Sequence, residues 1–212
     1  MQVVSKKFDY KSVVVAGYNK CGVEYDLHKE GGLECSIDYL FNTLPDKAKV
    51  LDVGCGAGRP VASLLSKKFD VLGIDISPEQ IKLAQKNCPQ AEFQVLDMVE
   101  ADFPLESFDA IVSFYALFHI NRELHYTVLQ KFYNWLENKG KIIISVVDGD
   151  KPGYTEDDFF DTKMYWSHYS LPKYYEMLEK IGFKLVQAEA LGHGYNRDDM
   201  EEESHQLIIA EK

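Results

Sequence analysis

The sequence predicts an α/β fold, a doubly wound and mostly parallel sheet with helices on both faces. Three observations carry that expectation. Apolar segments of strand length alternate along the 212 residues with segments whose apolar positions recur every three or four residues, the pattern of strands buried between helical layers. The segment Lys49–Pro60, KVLDVGCGAGRP, leaves an apolar strand and enters a loop with glycines at 54, 56 and 58. Two further apolar segments, Phe69–Asp75 and Ala91–Asp97, each end in a carboxylate.

The elements follow in order. Phe8 to about His28 and Leu33–Leu44 read as N-terminal helical or lid-like segments. After the strand at Lys49, Pro60 suits a first helical turn, and Val61, Leu64 and Leu65 give that helix an apolar face. Ser77-Pro78-Glu79-Gln80 has the form of a capping box and opens a helix through Asn87. Phe108–Ile120 begins as a fourth strand. Glu123–Asn138 carries Leu124, Val128, Leu129, Phe132 and Leu136 at helical spacing, with Gly140 as the stop and Lys141–Val147 as the next buried strand. Phe183–Leu191 and His205–Glu211 have no helix-length apolar segment between them, so they are expected to pair antiparallel.

The glycine loop separates two nucleotide chemistries. Glycine lacks a Cβ and tolerates positive φ, so such a loop lets backbone approach a ligand. The dinucleotide fingerprint needs a small residue at its sixth position, where this chain has Arg59. Asp75 falls 21 residues after Gly54, and a carboxylate there can accept hydrogen bonds from the hydroxyls of a ribose, which NAD and S-adenosylmethionine (SAM) share. The lead-in to G-x-G-x-G with Asp52, the acids Asp75 and Asp97 at successive strand ends, and FDAIVSFYALFHI after them resemble motifs I to IV of the class I SAM-dependent methyltransferases. The resemblance runs from about Tyr10 to the C-terminus. It implies a Rossmann-like seven-stranded sheet of order 3-2-1-4-5-7-6 with strand 7 antiparallel, in one domain spanning residues 1–212.

The same resemblance implies a cofactor site of Tyr18, Gly54, Cys55, Gly56, Gly58, Arg59, Asp75, Ile76, Asp97, Met98 and Phe114, holding SAM and, after transfer, S-adenosylhomocysteine (SAH). Asp97 corresponds to the acceptor of the adenine amino group, Met98 to the residue covering the ring. Tyr18, in a segment that also holds Tyr25, corresponds to aromatics folding over the methionine end, within an N-terminal lid of residues 1–44. Arg59 is a candidate partner for the methionine carboxylate or a solvent-facing residue.

Asp148–Ser170, DGDKPGYTEDDFFDTKMYWSHYS, is too long for a plain connection. Its aromatics argue against disorder, and it is similar to insertions that roof the pocket in small-molecule members of the family. Tyr115, His119, Tyr154, Tyr165, Trp166 and Tyr169 are therefore the candidate substrate-contacting residues; a stabilising cover over the sheet is the alternative. His119, just past the fourth strand, is the candidate general base, because an ordinary imidazole is mostly neutral at neutral pH; packing is its other role. His125 is expected on the surface of the long helix. His168 and His193 are candidates to face the pocket, with no partner at metal spacing, and no metal site is expected.

Composition limits the partners. A net charge of −11, from 23 Lys and Arg against 34 Asp and Glu, disfavours a nucleic-acid substrate. No apolar run approaches the roughly 18 residues of a helical membrane span, and no basic leader precedes an apolar stretch, so a cytoplasmic location is expected. Cys21, Cys35, Cys55 and Cys88 lie far apart without C-x-x-C, fitting reduced thiols. The absence of N-P-P-Y after the fourth strand removes the family's signature for base and amide nitrogen methylation. The expected function is methyl transfer to N, O or S of a small molecule; protein or RNA methylation, and SAM binding without turnover, are the alternatives. The sequence leaves the oligomeric state open.

Overall fold

A computed structural model describes residues 2–3, 8–28, 34–191 and 205–212. In chain order its elements are β1 (Gln2–Val3), α1 (Tyr10–Leu27), α2 (Glu34–Thr43), β2 (Lys49–Val53), α3 (Val61–Leu65), β3 (Asp70–Asp75), α4 (Pro78–Asn87), β4 (Glu92–Val95), β5 (Phe108–Ser113), α5 (His125–Trp135), β6 (Leu136–Val147), β7 (Lys151–Phe159), β8 (Thr162–His168), α6 (Leu171–Ile181), β9 (Lys184–Leu191) and β10 (His205–Glu211). Leu33 and His193 lie outside the described residues.

Seven strands form one sheet in the order β4-β3-β2-β5-β6-β10-β9. Counted along that sheet alone, this is 3-2-1-4-5-7-6, as expected. β2 pairs in parallel with β3 and β5, whereas β10 runs antiparallel to both β6 and β9. Alternate residues of each central strand face opposite layers. Leu51, Val53, Ile111, Ile142 and Ile144 pack against Val128, Leu129, Phe132 and Trp135 of α5 and Tyr174 and Leu178 of α6. Val50, Val71, Val112 and Ile143 pack on the other face against Ile37 and Leu40 of α2, Ala62 and Leu65 of α3, and Ile81 and Ala84 of α4. Truncating a side chain as completely buried as Phe132 costs about 3–5 kcal/mol.

Three details correct the sequence reading. First, the long helix ends at Trp135 rather than Asn138, and it starts at His125 after a 3-10 turn at Arg122–Leu124. The N–H groups of Glu106 and Ser107 donate to the carbonyls of Asn134 and Trp135 (3.0 and 2.8 Å), so an outside loop takes up the last-turn carbonyls there. The left-handed residue past the helix is Lys139, near the start of β6, not Gly140. Second, the capping box at Ser77 is half formed. Ser77 Oγ accepts from Gln80 N–H (3.2 Å), but Ser77 N–H donates to Asp75 Oδ1 (2.8 Å), so Gln80 does not reach back to it. Third, the Asp148–Ser170 excursion is a β-hairpin. β7 and β8 pair antiparallel and, with β1, form a separate three-stranded sheet.

That small sheet carries the third apolar cluster. Tyr154, Phe159, Met164, Tyr165 and Trp166 pack with Val14, Cys21 and Tyr25 of α1 and with Phe118. The approach is close because position 17 is glycine: a Cβ there would lie 2.7 Å from Met164 Cε and 3.0 Å from the Lys163 carbonyl oxygen. α1 is thereby pressed between the hairpin and the carboxyl ends of the central strands. No helix among the described residues is long and apolar enough to cross a membrane.

His125 is buried rather than at the surface. It opens α5, its Nε2 lies 3.3 Å from the Ile120 carbonyl, and its Nδ1 lies 3.0 Å from the Tyr174 hydroxyl. Burial pulls its pKa down to about 3 from an ordinary 6.5, against the opposing pull of the Ile120 carbonyl. The unfolded chain takes up this proton as the pH falls through about 6.5, and the folded chain resists until far lower. Its contribution is therefore full above about pH 6.5 and lost on acidification toward about 3. Thermal midpoints should fall between about pH 6.5 and 5, above the main carboxylate range, and His125→Gln should reduce that slope and leave the share of His119, which burial lowers to about 4. A flat profile in the parent protein contradicts this assignment.

Candidate functional site

The site begins with β2, whose tight pairing with β3 delivers the glycine loop to the carboxyl edge of the sheet. Gly54 N–H and Cys55 N–H both donate to the Ile74 carbonyl (2.8 and 3.0 Å). Gly54 has a φ of 73°, and a Cβ on it would sit 2.3 Å from the Ala116 Cβ. The loop therefore turns against the segment that follows β5, and only glycine fits there. Gly56 N–H donates to Asp75 Oδ2 (3.0 Å). With its other oxygen on Ser77 N–H, the Asp75 carboxylate ties the glycine loop to the first turn of α4.

A cavity of about 1020 Å³, including space open to solvent, runs along these strand ends. Gly54, Cys55, Gly56, Arg59, Asp75, Ile76, Asp97, Met98 and Phe114 line it, as does Asp52. Tyr18, Tyr115 and His119 line it as well. Asp97 Oδ1 accepts from Val99 N–H (2.8 Å), which turns the carboxylate back into a tight loop. The backbone of a glycine loop and two strand-end carboxylates along one elongated wall suit a nucleoside with a charged tail: each carboxylate accepts about four hydrogen bonds, so main-chain donors leave capacity for ligand hydroxyl or amino groups.

Several expected residues stand elsewhere. Gly58 faces α4 and Phe93, where a Cβ would lie 3.2 Å from Ala84 and from the Phe93 ring; it permits packing and does not line the cavity. Tyr154, Tyr165, Trp166 and Tyr169 do not line it either. The hairpin directs their rings into the layer behind it. Trp166 packs on His119 with ring centroids 4.5 Å apart and stacks on Phe118 at 5.4 Å. Tyr165 stacks on Tyr10 at 5.1 Å. Tyr154 is buried in the third cluster, and Tyr169 lies against the Arg122 guanidinium, 4.6 Å from its carbon. His168 Nδ1 bonds the Gly149 carbonyl (2.5 Å), away from the cavity.

His119 is held from both sides. Its Nδ1 lies 2.8 Å from the Tyr165 carbonyl, which fixes that nitrogen as the donor. Its Nε2 lies 2.7 Å from the Tyr18 hydroxyl, so the hydroxyl donates to it. Burial drives the pKa of His119 down to about 4, although the Tyr165 carbonyl pulls the other way. The imidazole is neutral at physiological pH. Burial alone raises Tyr115 to about 12, so its phenol keeps its proton.

The residues that sequence reading missed include the first turns of α1. Tyr10, Lys11 and Val14 line the cavity, and so do Ala116 and Ile120. Lys11 Nζ stands 2.6 Å from Asp97 Oδ2 and 2.5 Å from Glu100 Oε1. Burial opposes its charge, but these two partners outweigh it and hold its pKa above the usual lysine value. Arg59 pairs with Asp26, whose side chain is only 6% exposed. An unpaired carboxylate costs about 3–5 kcal/mol in the fully buried limit, less here because Arg59 is half exposed. Asn19 Oδ1 accepts from Ser77 Oγ (2.7 Å). These contacts fasten α1 across the strand ends.

Comparison with known proteins agrees with this geometry. A family profile described as a methyltransferase domain matches residues 50–140. Phosphoethanolamine N-methyltransferase 3 of Arabidopsis thaliana is 31% identical over 189 residues, 85% of this chain and 38% of that protein. The carboxy-S-adenosyl-L-methionine synthase of Nautilia profundicola is 27% identical, covering 87% of this chain and 90% of its own. The chain spans about a third of the length of the plant relatives it matches. Among solved structures, the 1,6-didemethyltoxoflavin-N1-methyltransferase of Burkholderia thailandensis, determined with SAH, shares the fold with a TM-score of 0.72, 21% identity, and coverage of 99% of this chain and 93% of that one. With the glycine loop, the strand-end carboxylates and the sheet order in place, the chain has the fold of the class I SAM-dependent methyltransferases, and its residues 50–140 match a methyltransferase domain.

Proposed function

We propose that this protein transfers the methyl group of SAM to a nucleophilic atom of a small molecule. One observation carries the reading: the glycine loop, the strand-end carboxylates and the Tyr18–His119 pair all line one cavity. Bound SAM supplies an activated methyl group on a sulfonium whose leaving group is a neutral thioether. Gly54, Gly56, Asp75 and Asp97 hold the nucleoside, and α1 excludes water from the reacting atoms.

The pair deals with the proton. As the acceptor's lone pair forms the new bond to the methyl carbon, the carbon–sulfur bond breaks and its electrons stay on sulfur. The acceptor's N–H, O–H or S–H proton passes to the Tyr18 oxygen while the Tyr18 proton moves to His119 Nε2. The neutral, Nδ1-protonated state that the Tyr165 carbonyl enforces leaves the Nε2 lone pair facing the hydroxyl, as a base that burial weakens to a pKa of about 4. Trp166 is a positioning residue behind His119, and the hairpin acts through it.

The cofactor is tested by calorimetry: SAM and SAH should bind, and NAD should not, because Arg59 occupies the place where the dinucleotide loop needs a small residue. NAD binding without any response to SAM or SAH contradicts the reading. Asp75→Ala should weaken SAH binding by about 1.5–3 kcal/mol, the range for a hydrogen bond to a charged group, and by more where loss of the Gly56 contact loosens the loop. Unchanged affinity would remove Asp75 from the site.

Tyr18→Phe and His119→Ala should each lower kcat with SAH affinity nearly unchanged, and the double variant should be little worse than either single one, as for groups acting as a unit. Additive losses would argue for separate roles. Trp166→Ala should lower kcat through a loosened His119 while SAH affinity holds. If the ring is only a cover, the same change lowers the unfolding midpoint and leaves activity per folded molecule intact.

A further inference from the structure

The cavity divides by charge. Every charged residue that lines it, Lys11, Asp52, Arg59, Asp75 and Asp97, stands on the glycine loop, at the strand ends of the cofactor half, or, for Lys11, directly on Asp97. The rest of its lining, Tyr10, Val14, Tyr18, Tyr25, Tyr115 and His119 among it, carries no formal charge at neutral pH.

The two cations are already committed to carboxylates. Lys11 lies between Asp97 and Glu100, and Arg59 is held by the buried Asp26. A phosphate seated on either one would have to share that cation with a carboxylate already bound to it. Three carboxylates against two cations on the lining add a repulsive field for an incoming dianion. Phosphate recognition instead relies on arginine forks or clustered cations offered to the ligand.

We infer that the acceptor is a neutral ring-bearing molecule, an aromatic amine or a phenol without a phosphate group, seated between Val14 and the rings of Tyr18, Tyr25 and Tyr115. This rests on reading the cavity as a methyl-transfer site. The tyrosine rings supply flat apolar contact area, with Tyr18 and Tyr25 edge-to-face at 5.5 Å. Neutral nucleophiles also meet no repulsion from the sulfonium. The acceptor's nitrogen or oxygen lone pair forms the bond to the methyl carbon, the sulfur keeps the electrons of the bond that breaks, and the proton leaves through Tyr18.

Matched compounds test it on the SAH complex of the full chain: aniline and phenol against phenyl phosphate and phosphoethanolamine. Binding is read as a shift in thermal midpoint, and methylation with SAM by mass spectrometry. Aniline or phenol should raise the midpoint and gain a methyl group, while both phosphate esters leave the midpoint unmoved. Tyr25→Leu should weaken binding of the ring compounds about tenfold, and Tyr25→Phe should restore it. Stabilisation or methylation of either phosphate ester at least as strong as for the ring compounds overturns the inference, as does no response to either ring compound. Failure of SAH itself to bind is a different result, which overturns the methyl-transfer reading beneath it.

Discussion

The carboxylate of Asp75 is the constraint on which the rest of this site depends. One oxygen holds Gly56 N–H and the other holds Ser77 N–H, so the loop after β2 and the helix after β3 share a single anchor. That anchor works only because β2 and β3 are in register through Val53 and Ile74, which places the Ile74 carbonyl where Gly54 and Cys55 can both donate to it. The register is fixed in turn by burial on both faces of the sheet, since a slip of one residue would exchange the faces that Val50 and Leu51 fill. Core packing and ligand geometry are thus linked through one side chain.

Legibility in the sequence followed the range of the interactions. The central strands could be read because each is a short apolar run with its own turn chemistry, and the cofactor carboxylates because they sit at fixed places on those runs. The hairpin of β7 and β8 could not. Its residues mix acids with aromatics, and its register breaks twice, so no clean alternation marks it as sheet. Its identity as a pair of strands comes from α1, which gives its aromatic face something to bury against. For the same reason its aromatics were misplaced: the sequence marks Trp166 as an anchor but cannot say whether the ring faces the cavity or the back of His119.

The remaining omissions are polar pairs. Lys11 and Glu100 lie 89 positions apart, Arg59 and Asp26 lie 33 apart, and Tyr18 and His119 lie 101 apart. No local pattern pairs such residues; only the path of α1 over the strand ends does so. His125 misled for a related reason. It stands at the start of an amphipathic helix, where a polar residue is ordinarily solvated, but the Tyr174 hydroxyl and the Ile120 carbonyl satisfy both ring nitrogens inside the core.

α1 has a consequence for how the site is assembled. The helix supplies Val14, Tyr18 and Tyr25 to the cavity and is moored through Lys11 on Asp97 and through Asp26 on Arg59. A change that lifts the helix removes those three lining side chains and strips Asp97 and Arg59 of their ion-pair partners in the same step. Wall and charge balance are therefore a single unit of this fold, gained or lost together.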